Sequence, residues 1–147
     1  MRVYTDFDSI ANDLLGGVKP SNPNCIEIME PRLVEYIVGE SITIGFPVLE
    51  KFLNPVGGMQ GGFITAAFDN AFGSFCFYET KGKPMATIDI STTYQRPIFM
   101  GDELIITVWI KSMGKTIIHM WGEGRNKGGK LVATATTNFI LLNNKNK

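Results

Sequence analysis

A single carboxylate lies in the middle of the longest apolar stretch of the sequence. Between Phe63 and Tyr78, Asp69 is the only acidic or basic side chain. Removing a carboxylate from water is costly unless the group is paired or neutralised. Asp69 is therefore a candidate general base or nucleophile in a partly apolar site. The alternative is a structural Asp that is capped by a backbone group or faces solvent.

Two glycines, Gly61 and Gly62, directly precede this stretch. If a helix begins there, its first N–H groups have no internal acceptor and carry the positive end of the helix dipole. Such groups can bind an anion or a polarised carbonyl, which glycine allows to approach closely. Asn54 and Gln60 flank the pair with amides that can donate to an oxygen or position a water. Loop flexibility alone would explain the same residues.

The pattern of apolar residues predicts the elements that must position these groups. A long helix, buried on nearly every face, is expected at Gly62–Tyr78. The other predicted elements are a short helix within Tyr4–Leu15, loops at Gly16–Pro31 and Leu49–Met59, strands at Leu33–Val38, Ser41–Val48, Met85–Gln95, Asp102–Ser112, Thr116–Gly124 and Leu131–Leu142, and a frayed tail at Asn143–Lys147.

The strand Met85–Gln95 alternates between apolar and polar residues, which places Thr87 on the polar face, opposite Ile88 and Ile90. The later strands are joined by short connections that contain glycine, so consecutive strands are expected to pair antiparallel. Residues 1–147 then form one α+β domain, an antiparallel sheet wrapped around one long central helix, with residues 1–31 as an N-terminal extension. The edges of so small a sheet favour dimerisation.

Composition limits the function further. The sequence has 14 Lys and Arg residues and 14 Asp and Glu residues, so its formal net charge is zero. This balance gives no indication of binding to nucleic acid or to an anionic membrane. No apolar run is long enough to span a membrane, and the N-terminus lacks a secretory signal, so we expect a cytoplasmic protein. Two cysteines and one histidine predict neither a disulfide framework nor a metal site. No phosphate-binding glycine motif points to a nucleotide cofactor.

The order Asn54, Gln60-Gly61-Gly62 and Asp69 resembles the hotdog-fold acyl-CoA thioesterases of the phenylacetate-pathway and thioesterase-superfamily-member-2 types. Those proteins have an Asn, a His-Gly-Gly that begins six residues later, and an Asp nine residues after the His. This sequence keeps both spacings. The segments Tyr94–Pro97 and Gly101–Asp102 also resemble the Tyr-x-x-Pro and Gly-Asp of that family. The resemblance runs from Leu33 to Phe139 and implies the hotdog fold.

The resemblance implies hydrolysis of an acyl-CoA thioester to free acid and CoA, without a metal or other cofactor. Asp69 would activate a water or attack the thioester carbon, and the Gly61 N–H would form the oxyanion hole. Asn54 would orient the water, and the Thr87 hydroxyl would hold the water or the carboxylate. The resemblance also implies a homo-oligomer, a dimer or a dimer of dimers. Its sites would lie at the subunit interface, with the glycine loop from one subunit and the Asp from the other.

Gln60 departs from the family pattern, because a His stands at this position in the relatives. A glutamine can donate a hydrogen bond to the thioester oxygen, but it cannot transfer a proton. We therefore keep an alternative, an acyl-CoA-binding or sensing protein with little turnover. The missing His also argues against a hotdog dehydratase or hydratase. His119 lies in a strand pattern and is expected to be structural.

The phosphates of CoA require cationic partners near the site entrance. Five residues near strand ends or turns are candidates: Arg96, Lys111, Lys115, Arg125 and Lys127. Of these we prefer Lys115 and Arg125, because both flank predicted hairpin turns. Together with Gly62 they complete the predicted substrate-binding residues.

Overall fold

A computed structural model describes residues 2–18 and 23–142, and its central element is a 19-residue helix, α3 (Gly61–Glu79). The other elements are, in chain order, β1 (Val3–Tyr4), α1 (Phe7–Leu14), α2 (Asn24–Glu27), β2 (Arg32–Ile37), β3 (Ser41–Pro47), a 3-10 turn (Glu50–Phe52), β4 (Met85–Tyr94), β5 (Glu103–Met113), β6 (Ile117–Arg125) and β7 (Leu131–Leu141). All neighbouring strands pair antiparallel in one seven-stranded sheet. The predicted α+β class is confirmed, whereas the predicted tail Asn143–Lys147 lies outside the described residues.

Helix α3 is enclosed by the sheet, because it contacts strands β3 to β7. Its buried residues are Ile64, Ala67, Phe68, Ala71, Phe72, Phe75 and Cys76. Opposite them β5 and β6 bury every second side chain along most of their length, as in β5, where Leu104, Ile106 and Val108 are fully buried. No helix in the described part of the chain combines the length and hydropathy that crossing a membrane requires.

The order of strands in the sheet is β1-β2-β3-β5-β6-β7-β4. The expectation that consecutive strands pair is therefore wrong for β4 and β5, since β5 pairs with β3 and β4 pairs with β7 at the far edge. The connection between them, residues 95–102, is too long for a tight hairpin. This connection forms hydrogen bonds instead with the loop before α3. The Met59 N–H donates to the Ile98 carbonyl at 2.9 Å, and Gly58 and Phe99 form an isolated antiparallel β-bridge.

The N-terminal extension is more regular than predicted. Tyr4 belongs to the edge strand β1 rather than to a helix, and α1 begins only at Phe7 because Asp6 caps it by accepting from the Ser9 N–H at 2.7 Å. The predicted loop Gly16–Pro31 contains the short helix α2. The Asn70 side chain on α3 donates to the carbonyl of Cys25 at 2.9 Å, so α2 is attached next to Asp69.

Cys76 and Cys25 should differ in their reactivity towards a disulfide reagent. Cys76 is buried on α3 and burial raises its thiol pKa to about 11, whereas Cys25 is exposed. At about pH 8 the Cys76 thiol is therefore neutral as well as inaccessible. We expect one thiol per chain to react quickly in the native protein and both in denaturant. Two fast thiols in the native protein would contradict the burial of α3.

Candidate active site

Asp69 lies on the side of α3 that faces β4, and its side chain is half-buried. The Thr87 hydroxyl on β4 donates a hydrogen bond to Asp69 Oδ1 at 2.9 Å. No other hydrogen bond reaches this carboxylate from the described residues. The Thr87 contact fixes the orientation of the carboxylate and leaves Oδ2 able to accept a proton from a water.

The contact between Thr87 and Asp69 depends on a β-bulge. Strict alternation would place Thr87 and Thr92 on opposite faces of β4, yet both reach α3, where Thr92 contacts Thr65 at 2.9 Å between hydroxyl oxygens. The pairing of β4 with β7 shifts register between Thr87 and Asp89, so Ile88 is an extra residue. The predicted alternation is thus wrong for the first part of the strand, and Thr87 shares the helix-facing side with Thr92.

Asp69 and Thr87 open onto a groove of about 490 Å³, which we call the Asp69 groove. It is lined by Pro23, Cys25 and Ile26 of the α2 segment, by Asp69, Asn70, Gly73, Ser74, Phe77 and Tyr78 of α3, and by Met85, Ala86, Thr87 and Phe139 of β4 and β7. None of these side chains is cationic. The groove suits a neutral, largely apolar group beside the carboxylate.

The start of α3 offers hydrogen-bond donors, as its two glycines predicted. The N–H groups of Gly61 and Gly62 have no acceptor among the described residues, which is the usual condition of a first helical turn. Gln60 is the N-cap residue, but its exposed side chain makes no capping hydrogen bond. Its amide is therefore open to a ligand that approaches the helix start.

Asn54 holds the loop that leads to Gly61. Its Oδ1 accepts hydrogen bonds from the N–H groups of Val56 and Gly58, each at 3.0 Å. The side-chain oxygen is therefore engaged within the loop, and only the amide nitrogen remains to donate to a ligand or a water. The Asn54 side chain can therefore act on a ligand or a water only as a donor. Its role in orienting a water stays a prediction.

Tyr94 is a site residue whose role the sequence did not reveal. Its hydroxyl donates to the Gly61 carbonyl at 2.6 Å and lies 2.7 Å from the Thr65 hydroxyl. The ring lies so close to the helix start that a Cβ at position 61 would be 2.9 Å from Tyr94 Cζ. Gly61 thus leaves room for the Tyr94 ring. The Tyr-x-x-Pro segment marked this tyrosine, but only the register of β4 shows what it contacts.

A second groove of about 570 Å³, the Gly61 groove, adjoins the helix start. It is lined by Asn54, Val56, Gly58, Met59, Gly61, Ile64, Tyr94, Gln95, Arg96, Pro97 and Phe99. Arg96 provides the one cationic side chain of this lining, and its Nη1 donates to the Leu131 carbonyl at 2.9 Å. The Gly61 groove therefore combines backbone donors with a positive charge.

Neither groove is lined by Lys115, Arg125 or His119. Lys115 is exposed in the turn between β5 and β6. Arg125 donates to Glu123 at 3.0 Å and to the Gly129 carbonyl at 3.1 Å. A role for these two cations in binding phosphate stays a prediction. His119 Nδ1 lies within 3.0 Å of oxygen atoms of Thr137 and Asn138, in keeping with a structural role.

Gly61 and Asp69 lie far apart within one chain. They are eight residues apart on one helix, which is about 12 Å along its axis. The two grooves share no lining residue. An oxyanion donor and a base or nucleophile must both lie within roughly 3–3.5 Å of the reacting carbonyl group. Gly61 and Asp69 of one chain therefore cannot both contact the same reacting carbonyl group.

Comparisons with known proteins agree on one family. Residues 57–133, a little over half of the chain, match the family model of the Thioesterase superfamily. Human acyl-coenzyme A thioesterase 13 is 30% identical over 87 residues, which cover 58% of this chain and 62% of the human protein. The chain thus matches less than two thirds of that relative's length.

Two solved structures share the fold. The Escherichia coli PaaI protein from the phenylacetic acid degradation operon superposes with a TM-score of 0.79 and 20% identity, over 92% of this chain and 96% of that chain. Zebrafish thioesterase superfamily member 2 gives a TM-score of 0.74 and 19% identity, over 92% and 95%. The predicted hotdog fold is thereby confirmed.

Proposed function

We propose that this chain, which belongs to the thioesterase superfamily, hydrolyses an acyl-CoA thioester to a carboxylic acid and CoA. One observation carries the proposal: a half-buried carboxylate, Asp69, is oriented by Thr87 at a groove whose lining has no other charged side chain. Such a carboxylate can take a proton from water while the groove holds the acyl group. The name of the human relative, acyl-coenzyme A thioesterase 13, supports the same substrate class.

In the proposed reaction, Asp69 Oδ2 removes a proton from a water that attacks the thioester carbon. Thr87 keeps the carboxylate aligned through Oδ1. The Gly61 N–H, at the positive end of α3, stabilises the negative oxygen of the tetrahedral intermediate. The intermediate then collapses by breaking its C–S bond, and the CoA thiolate leaves. Direct attack by Asp69, followed by hydrolysis of the mixed anhydride, would use the same residues.

Binding of CoA is assigned to the Gly61 groove. Arg96 there provides a positive charge for a phosphate, whereas the Asp69 groove has none. Gln60, exposed beside the glycines, can donate its amide to the thioester oxygen. This division places the polar part of the substrate and its acyl part in different grooves, with the thioester between them.

The complete site is proposed to form between two copies of the chain. Strand β4 pairs only with β7 among the described strands, which leaves a ten-residue edge free. Ile88 and Tyr94 on this strand are 52% and 49% exposed. Pairing of two β4 edges about a two-fold axis makes the two α3 helices antiparallel. Gly61 of one copy can then approach Asp69 of the other, which resolves their separation within one chain.

Gln60 favours a second candidate, an acyl-CoA-binding protein with little turnover. The side chain can hold a ligand oxygen but cannot supply a proton or a positive charge at this position. The half-buried carboxylate of Asp69 argues for hydrolysis instead, because binding of a neutral acyl group gains nothing from it.

Asp69→Asn should abolish most of the thiol release from acyl-CoA substrates. The amide keeps the shape of the carboxylate but cannot accept the proton, so we expect kcat to fall on the order of 10²–10⁴-fold. Asp13→Asn on α1, where the side chain is exposed, makes the same chemical change away from both grooves and should leave kcat unaltered. Unchanged turnover in Asp69→Asn would refute the assignment. Tight binding without any turnover in the unaltered protein would support the second candidate.

Gly61→Pro tests the oxyanion donor directly, because proline lacks the N–H but is well suited to the first residue of a helix. Gln60 already has φ −61° and ψ 139°, a conformation that a following proline permits. Gly61→Ala is the matched control, since it adds the same Cβ beside Tyr94 but keeps the N–H. We expect kcat of the proline variant to fall about 10²–10³-fold below that of the alanine variant. Equal kcat values would exclude this donor.

Mixing two inactive variants tests the shared site. A heterodimer of Asp69→Asn with Gly61→Pro, purified through two different affinity tags, should contain one site with both residues intact and one site with neither. We expect roughly half the activity of the unaltered dimer, since one of two equivalent sites is restored. If Gly61 and Asp69 acted within the same chain, the heterodimer would be as inactive as its two parents.

A further inference from the structure

Helix α3 has a glycine in its interior, Gly73, one turn beyond Asp69. Glycine destabilises a helix interior relative to alanine. Nothing in the backbone requires it, since Gly73 is not among the residues of positive φ. A Cβ built at this position would meet one neighbour, Phe139 Cε2, at 4.0 Å, an ordinary contact distance. Neither conformation nor crowding therefore accounts for this glycine.

The position of Gly73 in the Asp69 groove gives a reason for its missing side chain. Asp69, Gly73 and Phe77 follow each other at four-residue intervals, so they lie along one side of the helix. All three line the groove, and Phe139 of β7 lies beside Gly73 in the same lining. Because Gly73 has no side chain, the helix takes up the least space in the groove at this position, next to the carboxylate.

A second cavity borders the groove. A cavity of about 310 Å³ between α1, α3 and β3 shares four lining residues with it: Ile26, Asn70, Ser74 and Tyr78. The Asp69 groove is lined mainly by apolar surface and by no cationic side chain. A charged CoA phosphate gains no partner there, whereas a neutral hydrocarbon chain is removed from water.

We propose that Gly73 is a specificity-determining residue, whose missing side chain admits the apolar chain of an acyl group past Asp69. The inference rests on the proposed function, in which Asp69 acts on the thioester carbonyl. Four residues, or about 6 Å, separate Gly73 from Asp69 along the helix axis. An acetyl group is too short to reach Gly73, while a hexanoyl or decanoyl chain extends beside it. The natural substrate class is therefore a neutral acyl-CoA with an extended hydrocarbon chain.

The test measures binding of CoA thioethers that carry ethyl, hexyl or decyl groups, which cannot be hydrolysed. We expect Gly73→Val to weaken decyl-CoA binding about tenfold or more and to leave ethyl-CoA binding unchanged. Gly73→Ala should give an intermediate effect while its melting temperature rises, because alanine favours the helix. Ala66→Val, which places the same branched side chain on α3 outside both grooves, should not change the decyl-to-ethyl ratio.

The outcomes separate this inference from the proposed function. An identical decyl-to-ethyl ratio in Gly73→Val and in the unaltered protein overturns the role of Gly73, as does an unaltered protein that binds neither thioether. A general loss of stability would weaken the binding of all three thioethers alike and leave the decyl-to-ethyl ratio unchanged. The ratio could change as expected while the unaltered protein hydrolyses no acetyl-, hexanoyl- or decanoyl-CoA. The binding role of Gly73 would then be supported and the proposed hydrolysis refuted.

Discussion

The burial of α3 within the curled sheet is the constraint on which the other features depend. Its large aromatic side chains, such as Phe68, Phe72 and Phe75, are completely removed from water, so the helix can neither rotate nor slide without exposing them. The accessible side of the helix is thereby determined. Thr65, Asp69 and Gly73 follow each other at four-residue intervals on that side, between Gly61 at the helix start and Phe77 in the last turns. The backbone donor, the carboxylate and part of the groove wall thus belong to one rigid element.

This arrangement also separates two kinds of chemistry. The groove at the helix start has unpaired N–H groups and the guanidinium of Arg96, while the groove further along has Asp69 amid mostly apolar neighbours. A thioester of CoA has the same division, with a charged, polar carrier and an uncharged acyl group. A straight helix cannot bring Gly61 and Asp69 to one carbonyl, so in the proposed dimer a second copy related by two-fold symmetry supplies the missing group.

The central helix and part of the candidate site could be predicted from the sequence, because patterns of neighbouring residues indicate them. The lone charge of Asp69 in an apolar run and the glycines before that run indicate a site, and apolar periodicity indicates the helix. The placement of β4 beside β7 could not be predicted, since strand order depends on contacts between distant segments. For the same reason the sequence indicates Tyr94 only as part of a motif. Its bond to the Gly61 carbonyl depends on which strand passes the helix start.

The bulge in β4 has a consequence for the changes that this strand can accept. Met85–Thr87 and Asp89–Tyr94 follow opposite alternation patterns, and the extra residue between them lets Thr87 and Thr92 face the same helix. Ile88 itself is half exposed and contributes little to the core. The core of one chain therefore places little demand on the side chain at position 88, but the position cannot be deleted without turning Thr87 away from Asp69. The geometry of the bulge fixes the length of the strand there.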